Sequence, residues 1–238
     1  EFYLKYQPQI ETRTREIVGV EALIRWENPD LDDVFPAEFI PIAEECGLID
    51  RLGSWVIEQV VRDLETLKKI NKSLSVSINV SIRQLENISF IKTFESIFKK
   101  HKASQNNITL EVTETAIMNH AEQVISAMTY LKNNGISFAL DDFGIGFSSM
   151  NYLKRLPISY IKIDQSFVED LEENPSDSAI VEAIINLSQS LGIETVAEGV
   201  ETEGEYEFLK KHDCTYVQGF YFDKPMLLEN LIKKYTAH

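Results

Sequence analysis

The residues best suited to chemistry in this chain are carboxylates. Asp141 and Asp142 stand side by side, after the strand-like run Ile136-Ser137-Phe138-Ala139-Leu140 and before Gly144-x-Gly146 and the hydroxyl pair Ser148-Ser149. Two adjacent like charges at the end of a buried strand repel each other. Such a pair is tolerated where a cation sits between the charges or where water reaches both. A solvated loop with Ser148 or Ser149 as a helix N-cap meets the second condition; a metal or catalytic site meets the first. Comparable groups recur down the chain: Glu21 and Arg25, Asn79, Glu111 and Glu114, Lys162 and Asp164, Glu198 and Glu201, and Gln218. Taken singly, each also fits an exposed strand residue, a turn former or a structural ion pair. Taken together, they form a set of oxygen ligands without His or Cys, which favours hard cations, Mg²⁺ or Mn²⁺, over zinc or copper. Glu21, Glu111, Asp141, Asp142, Glu198 and the amide of Asn79 suffice for two such ions, an arrangement suited to phosphodiester hydrolysis.

These groups need elements to bring them together, and the pattern around them supplies strands. Phe2 to Ile10 and Ile17 to Trp26 read as strands joined by the polar turn Glu11-Thr12-Arg13-Thr14-Arg15. So short a link allows only an antiparallel hairpin. After the acidic loop Asp30 to Asp33, Pro36 to Glu45 reads as a short helix. Asp50 to Asn71 reads as a long one, with Leu52, Val56, Val60, Leu64 and Leu67 at helical spacing. Strands at Leu74–Val80, Ile108–Val112, Phe138–Leu140, Tyr160–Ile163, Ile193–Val196 and Thr215–Val217 then alternate with helices at Phe90–His101, Ala121–Asn133, Ser149–Arg155, Ser176–Leu191, Thr202–Lys211 and Leu227–Tyr235. Eight strands with helices between them predict a closed α/β barrel of the (β/α)₈ type with one antiparallel strand. An open doubly wound sheet is the alternative, disfavoured because no Gly-rich phosphate loop follows an early strand. In a barrel the chemistry sits at the C-terminal strand ends, where the charged residues cluster, and alternation puts Ser77 with Asn79, and Lys162 with Asp164, on shared faces.

Bulk properties narrow the partners. The chain has 238 residues, 44% of them hydrophobic, and a net charge of −15. That length suits one barrel domain, 1–238, with no linker or composition shift dividing it. The apolar runs stop well short of a membrane-spanning helix. The negative charge argues against binding DNA, RNA or anionic lipid through a basic surface, and an anionic substrate would need cations between it and the protein. Cys46 and Cys214 have no metal-ligand spacing and read as reduced, partly buried thiols of a cytoplasmic protein. His101, His120, His212 and His238 form no zinc pattern. No targeting segment is visible, and because residue 1 is Glu rather than Met, the sequence reads as a domain cut from a longer protein.

One family shares these features in order. Glu21-Ala22-Leu23-x-Arg25-Trp26 resembles the signature of EAL domains, the cyclic di-GMP phosphodiesterases. Tyr6-Gln7-Pro8, Phe39-Ile40-Pro41, Asn79-Val80-Ser81, Glu111-Val112-Thr113-Glu114, Asp141-Asp142-Phe143-Gly144-Ile145-Gly146-Phe147-Ser148-Ser149, Lys162-Ile163-Asp164, Glu198-Gly199-Val200-Glu201 and Gln218-Gly219-Phe220-Tyr221 also resemble family motifs. The resemblance implies a modified barrel with an antiparallel strand. It also implies hydrolysis of cyclic di-GMP to linear pGpG by two divalent cations, Mg²⁺ or Mn²⁺. Glu21, Asn79, Glu111 and Asp141 match the ligands of one ion, and Asp141, Asp142 and Glu198 those of the other. Lys162 matches a residue that orients the attacking water, with Asp142, Glu198 and Lys162 as candidate proton acceptors. Glu114 matches the anchor of the loop after the paired aspartates, the stretch Phe143 to Met150. Gln7, Leu23, Arg25, Glu201 and Gln218 match positions near the dinucleotide or just behind the metal ligands. Family members are often homodimers fused to sensory or diguanylate cyclase modules, and some only bind the nucleotide. In those silent members a metal ligand or the anchoring Glu is usually replaced, and no such replacement is seen in this sequence.

Overall fold

A computed structural model describes residues 1–236 apart from 31, 119–120, 146–152 and 172–173. Its strands are β1 (Phe2–Glu11), β2 (Ile17–Asn28), β3 (Asp32–Val34), β4 (Ser75–Asn79), β5 (Ile108–Thr113), β6 (Ser137–Phe143), β7 (Tyr160–Ile163), β8 (Glu194–Ala197) and β9 (Tyr216–Val217). They pair in the order β1-β9-β8-β7-β6-β5-β4-β2-β3, and an additional β1–β2 pairing closes eight of them into a barrel. β3 hangs on the outer half of β2. β1 runs antiparallel to both its barrel neighbours, β2 and β9. The other barrel pairings are parallel. The short turn after Glu11 forces this hairpin, and the modified barrel expected from the sequence is what the chain forms.

Pro8 sits inside β1 without loss. The N–H groups of this parity turn toward β9 and the chain end: Tyr6 N–H donates to the Met226 carbonyl at 2.7 Å, and the β1–β9 pairing begins only at Ile10. Pro8 falls between the two, where a missing donor breaks no ladder bond.

Helices wrap the barrel: α1 (Pro36–Glu45), α2 (Ile49–Leu67), α3 (Ile82–Glu86), α4 (Ile88–His101), α5 (Glu114–Met118), α6 (Ala121–Asn133), α7 (Gln165–Val168), α8 (Pro175–Leu191), α9 (Glu203–Lys211) and α10 (Leu228–Tyr235). The long ones follow their apolar stripes. α2 buries Val56, Ile57, Val60, Val61, Leu64 and Leu67 against the strands. Caps set several of their ends. Thr202 Oγ1 accepts from Glu205 N–H at 3.2 Å while the Glu205 carboxylate accepts from Thr202 N–H at 3.1 Å, a capping box that starts α9. Gly192, left-handed at φ 68°, ends α8.

The sequence reading missed β3 and the one-turn helices α3, α5 and α7, which are too short to show a period. It also stopped β6 at Leu140, whereas the strand runs on to Phe143 and carries both aspartates. The expected helix from Ser149 to Arg155 falls largely outside the described residues, as do Gly146, Phe147, Ser148, Ser149, His120 and His238. Cys214 is buried as expected, but Cys46 is exposed at the end of α1.

The lumen is not the usual filling of branched apolar side chains. Gln7, Gln9, Glu21, Ser77, Thr109, Glu111, Asp141, Lys162 and Gln218 are all buried. Cross-strand partners such as Gln7 and Glu21, Glu21 and Ser77, and Asn79 and Glu111 share the inward face. Among the described residues, no helix is long and apolar enough to cross a membrane.

Candidate active site

Lys162 is the centre of the site. Inward on β7 and only 1% exposed, its ammonium lies 2.6 Å from Glu111 Oε2, 2.8 Å from Glu198 Oε1, 3.1 Å from Asp141 Oδ1 and 3.8 Å from Glu21 Oε2. Three of those acids, Glu111, Glu198 and Asp141, lie toward or just past the C-terminal ends of β5, β8 and β6, and Glu21 lies midway along β2. Their register is staggered, Glu111 pairing with Ala139 and Lys162 with Val196, and the tilt of strands in a closed barrel brings residues 177 positions apart in the chain (198 − 21) together.

The charges do not balance. A buried carboxylate is costly unless paired, and one ammonium faces four acids. Burial, together with its acidic neighbours, pushes Glu111 well above the usual carboxylate range despite Lys162. Burial likewise pushes Glu198 up to about 8 and raises Asp142, which also feels Asp141. Burial acts on Glu21 too, but Lys162 and the amide donors of Gln218 and Asn79 outweigh it and hold that group low. The same acids keep Lys162 firmly protonated against its own desolvation.

Glu21 is the most closely held of the four. Its Oε1 accepts from Asn79 Nδ2 at 2.7 Å and its Oε2 from Gln218 Nε2 at 2.6 Å. Glu111 is the opposite case, because its Oε1 is buried with no hydrogen-bond partner. A buried carboxyl oxygen without a partner in an all-oxygen donor set suits a hard cation, which would compete with the proton that burial favours on Glu111. Among the described residues no group of three or more acids already converges on one point where an ion would sit. The carboxylates point instead at the Lys162 ammonium.

Asp141 and Asp142 pose a parity problem, since successive strand residues face opposite sides. The register against β7 shifts between Leu140 and Phe143, and Asp142 takes the left-handed conformation at φ 55°. This bulge turns both aspartates to the same cavity. The chain just past them is tied down at Gly144. Gly144 has φ 107°, a conformation that favours glycine, and its N–H donates to Glu114 Oε2 at 3.1 Å. Glu114 is buried at the first turn of α5.

The cavity beside the cluster has a volume of about 870 Å³, within the range of small-ligand sites. Asn79, Glu111, Asp141 and Asp142 form its polar end, and Leu23, Arg25, Ile40 and Pro41 line it further out. Arg83 and Glu44 also line it, and no motif had signalled either. Gln7 and Gln218 are buried behind Glu21, where Gln218 Nε2 donates to Gln7 Oε1 at 3.0 Å. Glu201 is exposed, with its N–H donating to Glu205 Oε2 at 2.7 Å. Asp164 caps α7 through Ser166 N–H at 2.9 Å and bears on the site through its charge, which helps to raise Asp142. Sequence reasoning passed over Gln9, although alternation with Gln7 put it on the same inward face.

The EAL domain family model matches residues 1–225. The chain belongs to the EAL domain family. It is 37% identical over 230 residues to the bifunctional diguanylate cyclase/cyclic di-GMP phosphodiesterase MucR of Pseudomonas aeruginosa, covering 96% of this chain and 34% of that protein. It is 38% identical over 223 residues to the cyclic di-GMP phosphodiesterase PdeR of Escherichia coli, covering 94% of this chain and 34% of that one. This EAL domain therefore spans about a third of the length of these curated relatives. In structure it is similar to the PaMucR phosphodiesterase in its c-di-GMP complex, with a TM-score of 0.92 at 37% identity over 97% of this chain and 94% of that one.

Proposed function

We propose that this EAL domain hydrolyses cyclic di-GMP to linear pGpG with two divalent cations. The observation that carries the reading is the convergence of Glu21, Glu111, Asp141 and Glu198 on Lys162 beside the cavity. Similarity to relatives named for this activity supports the choice of substrate.

Glu21, Asn79, Glu111 and Asp141 would hold one ion, and Asp141, Asp142 and Glu198 the other. When bound, Mg²⁺ or Mn²⁺ supplies the positive charge the cluster lacks, neutralises the scissile phosphate and acidifies a water. Lys162 donates to that water and orients it for in-line attack on phosphorus, and the 3′ oxygen leaves. Asp142 and Glu198, both already raised, are suited to take up the proton. Arg25 and Leu23, on the cavity wall, receive the rest of the dinucleotide, Arg25 through charge-assisted bonds to a phosphate. Gln7 and Gln218 support Glu21 from behind. The whole protein carries further modules, as the length of the relatives suggests, with a sensory or diguanylate cyclase neighbour and a homodimer as the expected organisation.

Incubation with cyclic di-GMP and Mg²⁺, followed by chromatography, tests the reading. Linear pGpG is expected from the native sequence and none from Glu21→Ala or Asp141→Asn. Binding without turnover in the native protein would leave a silent nucleotide-binding module instead, and near-normal activity in either variant would remove the ligand assignment.

A further inference from the structure

The buried amides behind Glu21 form a directed chain. Gln9 Nε2 donates to Gln218 Oε1 at 3.1 Å, and Gln218 Nε2 donates to Glu21 Oε2 at 2.6 Å and to Gln7 Oε1 at 3.0 Å. The three glutamines are buried, Gln7 and Gln9 on β1 and Gln218 just past β9.

An amide's oxygen and nitrogen are nearly the same size, so its hydrogen bonds decide which end points where. The Glu21 carboxylate only accepts, so Gln218 must turn its nitrogen toward Glu21. Its oxygen then faces Gln9, which must answer with its own nitrogen. The Gln9 oxygen is left lying against β2 at Gly19, its register partner. A Cβ at Gly19 would stand 2.7 Å from Gln9 Oε1 and 2.5 Å from Ser75 Oγ. Glycine at position 19 thus makes room for the Gln9 side chain. Glu21 and Gln7, whose own Nε2 donates to the Asp223 carbonyl at 3.2 Å, hold the nitrogen end of the Gln218 amide, and Gln9 is the donor that secures its oxygen end; without Gln9 that buried oxygen loses its partner and the amide is held from one end alone.

We propose that Gln9 is a positioning residue, seated by Gly19, that orients Gln218 and through it holds Glu21 ready for a divalent cation. The inference rests on the reading of Glu21 as a metal ligand. Groups that support a ligand from behind typically change metal affinity ten- to a hundredfold, and Gln9 lies one step further out, so a loss of roughly three- to tenfold is expected.

The test is Mn²⁺ binding to the metal-free protein, read as free Mn²⁺ by electron paramagnetic resonance, alongside its melting temperature in chelator. Gln9→Met, of similar length but with no amide, should weaken Mn²⁺ binding roughly three- to tenfold. Gly19→Ala should do the same by displacing Gln9, and decides the matter if Gln9→Met does not fold. The Mn²⁺ concentration for half-maximal turnover should rise by the same factor. Melting temperatures that fall while Mn²⁺ affinity stays within twofold of the native value would make Gln9 a merely structural residue and overturn the proposal. A native protein that binds Mn²⁺ but does not hydrolyse cyclic di-GMP overturns the proposed activity and leaves this inference standing. Hydrolysis with unaltered Mn²⁺ affinity in the folded variants does the reverse.

Discussion

Lys162 Nζ and Glu111 Oε2 lie 2.6 Å apart, each residue 1% exposed, in a lumen where the second oxygen of Glu111 has no partner. The contact is short, yet burial and the surrounding acids still push Glu111 well above the usual carboxylate range. One ammonium among four acids marks where additional positive charge belongs.

Removal of the ammonium should be severe. Lys162→Met leaves Glu111, Glu198, Asp141 and Glu21 facing one another. Breaking a buried pair by deleting one partner costs roughly 3–5 kcal/mol. Urea unfolding in chelator at neutral pH should show a loss of that size, and saturating Mg²⁺ should recover part of it. Equal stability of the native and Lys162→Met proteins in chelator would remove Lys162 from the centre of the cluster.

The metal-free protein should grow less stable as pH rises. Burial pushes Glu198 up to about 8 and also raises Glu111, whereas a Glu in the unfolded chain titrates near about 4.3. The fold thus binds protons more tightly than the unfolded chain, so the contribution is complete below about pH 4.3 and fades as pH climbs through about 8. Glu21, held low, opposes the trend near the acid end. Cations compete with the same protons, so Mg²⁺ should flatten the profile above neutrality. Urea midpoints across pH 5–9, with and without Mg²⁺, measure both effects. A metal-free midpoint that rises steadily over this range would contradict them.

The bond from Gly144 N–H to Glu114 ties the backbone two residues past Asp142 to α5. Hydrogen bonds to charged groups contribute about 1.5–3 kcal/mol. Glu114→Ala should therefore lower turnover by roughly tenfold or more and weaken Mn²⁺ binding, because Asp142 lies two residues before Gly144. If steady-state kinetics and Mn²⁺ titration both match the native protein, the loop is only a connector.

The two thiols should separate cleanly. Burial pushes Cys214 up to about 11, well above a free thiol, while Cys46 is exposed. Since the thiolate is the reactive form, Ellman's reagent at pH 8 should titrate one thiol in the native protein and two after denaturation. Rapid reaction of both in the native state would mean that the region around Cys214 opens readily.

The alternation of strand and helix was legible in the sequence because apolar periodicity is local, as with the α2 stripe and the run before Asp141. The antiparallel β1 was legible too, since a five-residue turn admits no other pairing. The acids at the strand ends could be named from residue type alone. The sequence could not order them around a centre, because Glu21, Glu111, Asp141 and Glu198 converge only when closure of the barrel brings β2, β5, β6 and β8 together. Nor could it show that Asp141 and Asp142 face one cavity, because strand alternation says the opposite and only the bulge at φ 55° reverses it. Gln9 carried no chemical signal beyond its parity with Gln7. Its role depends on a partner 209 residues away, just past a strand that pairs with β1 only at the far end of β1. Residue types and local periods thus determined which groups and which strands the protein has. Register, closure and one local bulge decided which groups share charge, because Coulombic and hydrogen-bond energies depend on distances that only the tertiary structure sets.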